Sequence, residues 1–301
     1  MIKIKQLSKF TAFVGEDNQV RNEFKSYQQE FDEQQNLLKE TEYSSSGKVG
    51  SASAYKYNEQ NKMLAEIHYF EEDEVGETIN YHLDEEGKPI TIETTYGDSG
   101  KSIKKISRSE RLMTVKIVDE DGETEGEEIV RFDNKQRPIE ETQIDEEGKI
   151  FQRSVYEYND SDELVTRINY GDNNEFLTKT TFVYNEDGKL LQSVQRTESG
   201  NLINSVLYEY DTNGNRILLQ NSHHQQRTTY DDQNRIIIEE TINRSNNLVE
   251  GFTEYKYGDH GLLIEEHTFE IGESYQLEPM VFGRTKSNFV QTRYEYEFYK
   301  K

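Results

Sequence analysis

The chain has 301 residues, no cysteine, and 59 acidic against 35 basic residues, which gives a formal net charge of −24. The absence of cysteine excludes disulfides, cysteine–zinc sites and thiol chemistry, and the negative charge argues against nucleic acid or an anionic membrane as a direct ligand. A hydrophobic content of 32% is low for a thick globular core, but 20 tyrosines and 14 phenylalanines are atypical of a disordered chain.

Residues 1–29 lack the motif that fills the rest of the chain, and we interpret them as an N-terminal capping segment of one or two strands. Polar residues interrupt the apolar ones in this segment, so a secretory signal is not indicated. No apolar run in the sequence reaches the length of a membrane span. These features predict a cytoplasmic protein, or one exported by a route that needs no N-terminal signal.

Residues 30–270 repeat one pattern, which is clearest in VLYEYDTNGNRILLQ at 206–220. Tyr208 and Tyr210 alternate with their neighbours as in a β-strand, and Asp211 to Gly214 have the composition of a tight turn. The aliphatic residues that follow begin a return strand. The period is about 26 residues, which is the mark of a repeat architecture. Similar segments begin at Glu30, Tyr55, Tyr81, Arg131, Tyr156, Phe182, Thr229 and Tyr255.

A second turn lies midway through each period, for example at residues 198–201, so each unit is a hairpin that leads directly into the next. Short connections join only antiparallel neighbours. The sequence therefore predicts an all-β fold, an antiparallel meander of about ten hairpins. Because open sheets of roughly twenty strands curl or split, we expect an elongated sheet that is curved or spiralled.

Residues 271–301 follow the repeats and are interpreted as a C-terminal capping segment with the last strand. Their apolar cluster, residues 279–282, would cover the final sheet edge or contact a partner. Tyr294, Tyr296 and Phe298 alternate with acidic residues, which predicts a terminal strand.

The pattern Y-x-Y-[DN]-x-x-G-x-L resembles the YD repeat of the bacterial Rhs proteins. The segments that carry the resemblance are 156–164, 182–190, 208–217 and 255–262. In that family the repeats form a long β-sheet that spirals into a shell, often around a toxic cargo domain. This sequence replaces the glycine in several units and shows no toxin domain. The resemblance thus implies a short YD-repeat protein without the cargo-enclosing role.

The repeat-defining aromatic residues are expected to stack across equivalent strands of successive units, and each such pair contributes about 0.2–1 kcal/mol. The alternative is an exposed aromatic surface that binds a protein or a glycan. These residues are Tyr55, Tyr57, Tyr156, Tyr158, Phe182, Tyr184, Tyr208, Tyr210, Tyr255 and Tyr257.

Motifs for catalysis and metal binding are missing from the sequence. The six histidines are scattered, and no HExxH, Walker A, GxGxxG or GxSxG pattern occurs. Asp211, Asn213 and Asn215 place oxygens at alternate positions, as calcium ligands would be, but the glycine and glutamate of an EF-hand are not where that motif requires them. We therefore predict no enzyme activity, no metal site and no cofactor.

The acidic residues are densest in two segments at expected turns. They either coat the solvent face and suppress edge-to-edge pairing, or they attract a basic protein and raise its association rate. The candidate partner-binding residues are Glu71, Glu72, Asp73, Glu74, Asp119, Glu120, Asp121, Glu123, Glu125, Glu127 and Glu128.

These observations predict a non-catalytic protein-binding repeat module whose acidic surface binds a basic partner. The resemblance to the YD repeat implies an immunity or adaptor protein of a bacterial toxin or secretion system. The alternative is a structural Rhs-like shell or surface segment that is exported without a Sec signal. Open sheet edges would also allow self-association.

Overall fold

The computed structural model describes residues 2–15, 19–70, 74–271 and 286–300, without the side chains of 286–288. Its regular structure is all-β, apart from short 3-10 turns at Asp172–Asn174 and Asp259–Gly261. None of the described residues belongs to a helix long and apolar enough to cross a bilayer. The strands are β1 Ile4–Val14, β2 Val20–Phe31, β3 Leu37–Tyr43, β4 Val49–Tyr57, β5 Met63–Tyr69, β6 Val75–Leu83, β7 Pro89–Tyr96, β8 Lys101–Arg108, β9 Leu112–Asp119, β10 Thr124–Phe132, β11 Pro138–Asp145, β12 Ile150–Tyr158, β13 Leu164–Tyr170, β14 Phe176–Tyr184, β15 Leu190–Arg196, β16 Leu202–Tyr210, β17 Arg216–Gln220, β18 His224–Tyr230, β19 Ile236–Asn243, β20 Leu248–Tyr257, β21 Leu263–Ile271 and β22 Lys286–Phe298.

The first and last strands are neighbours, because β1 pairs with β2 on one side and with β22 on the other. Leu7 lies opposite Tyr296, and the N–H of Tyr299 donates to the carbonyl of Lys3. Within the described residues, the strands therefore form one closed antiparallel sheet of 22 strands. The antiparallel meander is confirmed, but the expected open, elongated, curved or spiralled sheet is wrong. Closure satisfies the backbone groups that two terminal edge strands would otherwise expose.

The chain divides into two compact units. Unit 1 comprises residues 1–52 and 206–301, and unit 2 comprises residues 53–205. The expected N-terminal segment, 1–29, holds β1 and most of β2 and belongs to unit 1. In unit 2 each strand from β5 to β14 pairs with the next one along the chain.

The YD-like motif forms the same turn along the chain. Its Asp or Asn side chain accepts hydrogen bonds from the N–H groups two and four residues later, as Asn185 does from Asp187 and Lys189 at 3.0 and 2.8 Å. The residue three positions after this Asp or Asn has a positive φ, which is +75° at Gly188. Units without glycine place another residue here, in several cases Asn or Asp, which tolerate this conformation comparatively well, and in others Gln. Examples are Asn61, Gln136 and Asp162, at φ +58°, +61° and +68°.

A β-bulge follows these turns at the start of the return strand. In β13, Leu164 lies opposite Tyr158 and Thr166 lies opposite Glu157, so Val165 is the additional residue. Ile139 and Leu191 hold the equivalent places in β11 and β15. Bulges increase the local twist of a strand pair. The same bulge therefore repeats the same local twist in successive hairpins.

The buried interior consists mainly of small side chains, and Val118 is the largest fully buried one among the described residues. This agrees with the low hydrophobic content of the sequence. Backbone ladders and contacts across strands therefore carry much of the stability. The buried residues of the described part of the chain are Ser8, Ala12, Thr41, Ala52, Ala65, Val115, Val118, Gly126, Thr142, Ser154, Thr166, Gly171, Thr180, Thr228, Ile242, Phe269 and Thr292.

Candidate functional site

The densest acidic tract lies across one hairpin of unit 2, where it ends β9, forms the turn and begins β10. Glu120, Asp121 and Glu123 are exposed in the turn. Asp119 has a structural contact instead, because its Oδ1 accepts a hydrogen bond from the N–H of Glu123 at 2.7 Å. Gly122, at φ +84°, completes the reversal. The turn therefore presents three carboxylates on a framework that depends on Asp119.

The other acids of the tract do not share this surface. Glu125 is exposed at the start of β10, where it accepts a hydrogen bond from Ser102 Oγ at 3.4 Å. Glu127 and Glu128 are half-buried within β10, and successive side chains of a strand face opposite sides of the sheet. The structure thus separates residues that the sequence places side by side.

Further acidic turns lie at the same end of unit 2. Because β10 pairs antiparallel with both β9 and β11, the β9–β10 and β11–β12 turns are at one end of these strands, and the same alternation places the β5–β6, β7–β8 and β13–β14 turns there. We define the acidic rim as the exposed carboxylates of these turns, which are Glu74, Asp98, Glu120, Asp121, Glu123, Glu146, Glu147, Asp172 and Glu175. Glu71, Glu72 and Asp73 lie outside the described residues.

Basic side chains near the acidic rim include Lys101 and Lys149. Lys101 Nζ pairs with Glu93 Oε1 at 2.6 Å, and this hydrogen bond raises the pKa of Lys101. Lys149 is exposed, and its N–H completes the turn by donating to Asp145 Oδ1 at 2.8 Å. The carboxylates of the rim therefore predominate over its basic groups, and a local negative potential results.

Two exposed aromatic side chains accompany the acidic rim. Phe70 is 70% exposed and Tyr96 is 45% exposed, and both line an open cleft of about 490 Å³ with Glu74, Asp98 and neighbouring residues. The ring of Phe70 lies over Gly76, where an added Cβ would be only 2.3 Å from a ring carbon. Sequence reasoning missed this pair, because neither residue belongs to the repeat motif.

Comparison with known proteins gives no sequence relative. No protein-family model matches the chain, and no curated protein matches it. Among solved structures, the chain is similar to TcdB2-TccC3 without its hypervariable C-terminal region, with a TM-score of 0.34 and 14% identity over 82% of this chain and 16% of that chain. It is also similar to a porin-like protein from Bacteroides uniformis, with a TM-score of 0.32 and 10% identity over 98% and 96% of the two chains. The chain thus spans about one sixth of the TcdB2-TccC3 chain, 16%.

The second tyrosine of the repeat motif makes a backbone contact. The Oη of Tyr158 donates to the carbonyl of Pro138 at 2.8 Å, and the Oη of Tyr257 donates to that of Ile236 at 2.8 Å. In each pair the acceptor starts the return strand of the preceding hairpin. These hydrogen bonds assign a structural role to this position of the motif.

The first tyrosine of the motif pairs with a glutamate on the strand before it. Tyr156 Oη donates to Glu141 Oε2 at 2.8 Å, and Tyr255 Oη donates to Glu239 Oε2 at 2.6 Å. Burial, and then the hydrogen bond to Glu141, raise the pKa of Tyr156 to about 12. The phenols therefore remain protonated donors, and these glutamates are already engaged within the fold.

The candidate calcium ligands are engaged in a turn. Asp211 Oδ1 accepts from the N–H groups of Asn213 and Asn215 at 2.9 and 2.8 Å, and Asn215 Nδ2 donates to Asp211 Oδ2. The hydrogen bonds from Asn215 lower the pKa of Asp211. Within the part of the chain that the structure describes, no group of three or more His, Asp or Glu side chains could hold a metal ion.

Proposed function

We propose that this chain is a non-catalytic protein-binding module that holds a basic protein against the acidic rim. The observation that carries this proposal is the collection of exposed carboxylates from successive turns at one end of unit 2. Carboxylates arranged in this way raise the association rate of a positively charged partner.

Phe70 and Tyr96 supply the contact area that charge alone does not. Aromatic residues are enriched among the side chains that contribute most to protein interfaces, and a guanidinium or ammonium group binds favourably over an aromatic face. The cleft beside Glu74 and Asp98 would accept an arginine or lysine side chain of the partner. Charge steers the encounter in this proposal, and the aromatic pair sets the dissociation rate.

Within this class we propose a cytoplasmic immunity or adaptor protein of a bacterial toxin system. This finer assignment rests on the resemblance of the repeats to the YD repeat, and a basic toxin would be the partner. The competing function is a structural shell or surface segment that associates with copies of itself.

A matched pair of charge variants tests the acidic rim. The rim variant carries Glu120→Gln, Asp121→Asn and Glu123→Gln, and it keeps Asp119 because that side chain closes the turn. The control variant carries Asp160→Asn, Glu186→Gln and Asp187→Asn, which are exposed acids in turns at the opposite end of unit 2. Both variants remove three negative charges, so they differ only in where the charge is lost.

The measurement is affinity capture from lysate of the native host, followed by the binding kinetics of the purified partner. We expect one basic protein that salt releases, with an association rate several-fold lower for the rim variant than for the control variant. Equal losses of association rate in both variants would show that only the net charge matters. That result would contradict binding at the acidic rim. Recovery of the bait alone, or of further copies of the chain, would favour the structural function.

A further inference from the structure

A second polar site lies on the strands of unit 2, in a cleft of about 210 Å³. Its position follows from the strand register. Arg167 lies opposite Thr180, and Thr180 lies opposite Gln195, so the three side chains share one face of the sheet. Phe182 and Ser193 are paired on the same face. The cleft is lined by Arg167, Thr180, Phe182, Ser193, Gln195 and Asn204.

Two buried polar atoms of this cleft have no hydrogen-bond partner, namely Arg167 Nε and Thr180 Oγ1. Thr180 is 6% exposed, so solvent has little access to its hydroxyl group. Buried polar groups are normally satisfied, and each exception needs an explanation such as a ligand or an ordered water. Both residues line one cleft, which gives the two exceptions a common explanation.

The charge of Arg167 is also uncompensated. Two arginines of unit 2 have carboxylate partners, Arg131 with Glu140 at 3.2 Å and Arg137 with Asp133, whereas the exposed Arg108 and Arg196 donate to backbone carbonyls. Arg153, which likewise has an unsatisfied Nε, lies 3.8 Å from Glu140 and stacks on the ring of Tyr170. Among the described residues, Arg167 has no such ion pair. In a chain with a net charge of −24, a half-buried guanidinium without a carboxylate is an unusual arrangement.

We propose that this cleft binds a small carboxylate ligand. A carboxylate accepts two parallel hydrogen bonds from a guanidinium, and this geometry favours arginine over lysine. Such a ligand would accept from Arg167 Nε and one terminal nitrogen, and the Thr180 hydroxyl would donate to its second oxygen. Ser193, Gln195 and Asn204 offer further hydrogen-bonding groups, and Phe182 provides an apolar wall for the body of the ligand.

Benzoate and benzamide are the probes that test this site, because they have the same shape and differ in charge. We expect benzoate to bind the wild-type chain in calorimetry at about millimolar affinity, at least about 10-fold more tightly than benzamide. Backbone amide NMR signals of β13 to β15 should shift on the same titration. Arg167→Gln should lower the benzoate affinity at least about 10-fold, and Arg167→Lys and Thr180→Val several-fold.

Lys179→Gln is the matched control, since Lys179 is exposed and adjacent to Thr180 but faces the other side of β14. It removes one positive charge, as Arg167→Gln does, and should leave benzoate binding unchanged. Absence of benzoate binding, equal affinity for benzamide, or an equal loss in Lys179→Gln would overturn the proposal, as would a preference for inorganic phosphate. If Arg167→Gln does not fold, Thr180→Val and the wild-type NMR titration still decide.

Discussion

Tyr184 donates a hydrogen bond from its Oη to the backbone carbonyl of Leu164, at 2.9 Å. Leu164 begins the return strand of the preceding hairpin, and the next residue, Val165, is the bulge of that strand. The contact therefore satisfies a carbonyl at an irregular point of the ladder and joins one repeat to the one before it. Its recurrence at Tyr158, Tyr230 and Tyr257 gives tyrosine a structural role at this position, although Phe31, Leu83 and Phe132 occupy it in other units.

Replacement of Tyr184 by phenylalanine should therefore lower the free energy of unfolding by about 1 kcal/mol, because the carbonyl of Leu164 loses a donor while the ring remains. Urea denaturation would measure the change. Tyr96→Phe is the control, since this side chain is exposed, and its effect should stay within about 0.5 kcal/mol. Equal stability of Tyr184→Phe and the wild type would show that water replaces the tyrosine as donor.

Substitution of Gly148 tests the need for a positive φ in the turns without any steric clash, because an added Cβ would meet nothing within 4 Å. Its φ of +81° is strained for an ordinary L-residue, so Gly148→Ala should cost about 1 kcal/mol. Asparagine tolerates this region better, and Gly148→Asn should lose clearly less stability. Thermal unfolding of the two variants checks the order, and an equal loss would point to a cause other than backbone strain.

The turns could be predicted from sequence because their requirement is local. A positive φ favours glycine, asparagine and aspartate, and these residues recur with the motif. Closure could not be predicted in this way, since the pairing of Leu7 with Tyr296 joins residues that no short-range pattern connects. The acidic rim was predictable in part. The exposed turn at Glu120 and Asp121 follows from composition, whereas its alignment with Glu146 and Asp98 depends on how the strands alternate in direction.

The Tyr156–Glu141 pair predicts a loss of stability at alkaline pH. Burial and the hydrogen bond to Glu141 raise the pKa of Tyr156 to about 12, above the usual value of 10.0. Because the pKa is higher in the folded state, this contribution is complete below pH 10 and is lost as the pH rises towards about 12. Glu141→Gln should move the phenol titration of Tyr156 towards lower pH, which absorbance near 295 nm would detect by comparison with a Tyr156→Phe variant. An unchanged titration would show that Glu141 has no part in the shift.

The Asp133–Arg137 ion pair predicts a loss of stability at acidic pH. Its hydrogen bonds, above all those from the Arg137 side chain, lower its pKa to about 2 from the usual 3.8. Its contribution is therefore complete above about pH 4 and is lost as the pH falls towards 2. Asp133→Asn keeps the acceptor for the turn and removes the ion pair. The unfolding midpoints of this variant and the wild type should differ slightly at pH 7 and converge near pH 2, and a constant difference would contradict the linkage.

In the aromatic stack of unit 1, we expect truncation of one side chain to lower the free energy of unfolding strongly. Phe269 is 5% exposed, and its ring stacks between Phe252 and Phe289 with centroids 4.6 and 4.3 Å apart. These rings come from β20, β21 and β22, so the stack fixes the strand that pairs with β1. Phe269→Ala should lower the free energy of unfolding by about 3–5 kcal/mol, through lost burial and the cavity that remains. Phe269→Leu should cost less because it keeps most of the volume, and Phe151→Ala, at an exposed phenylalanine, should change it by about 0.5 kcal/mol or less. A small effect of Phe269→Ala would mean that the β21–β22 pairing does not depend on this stack.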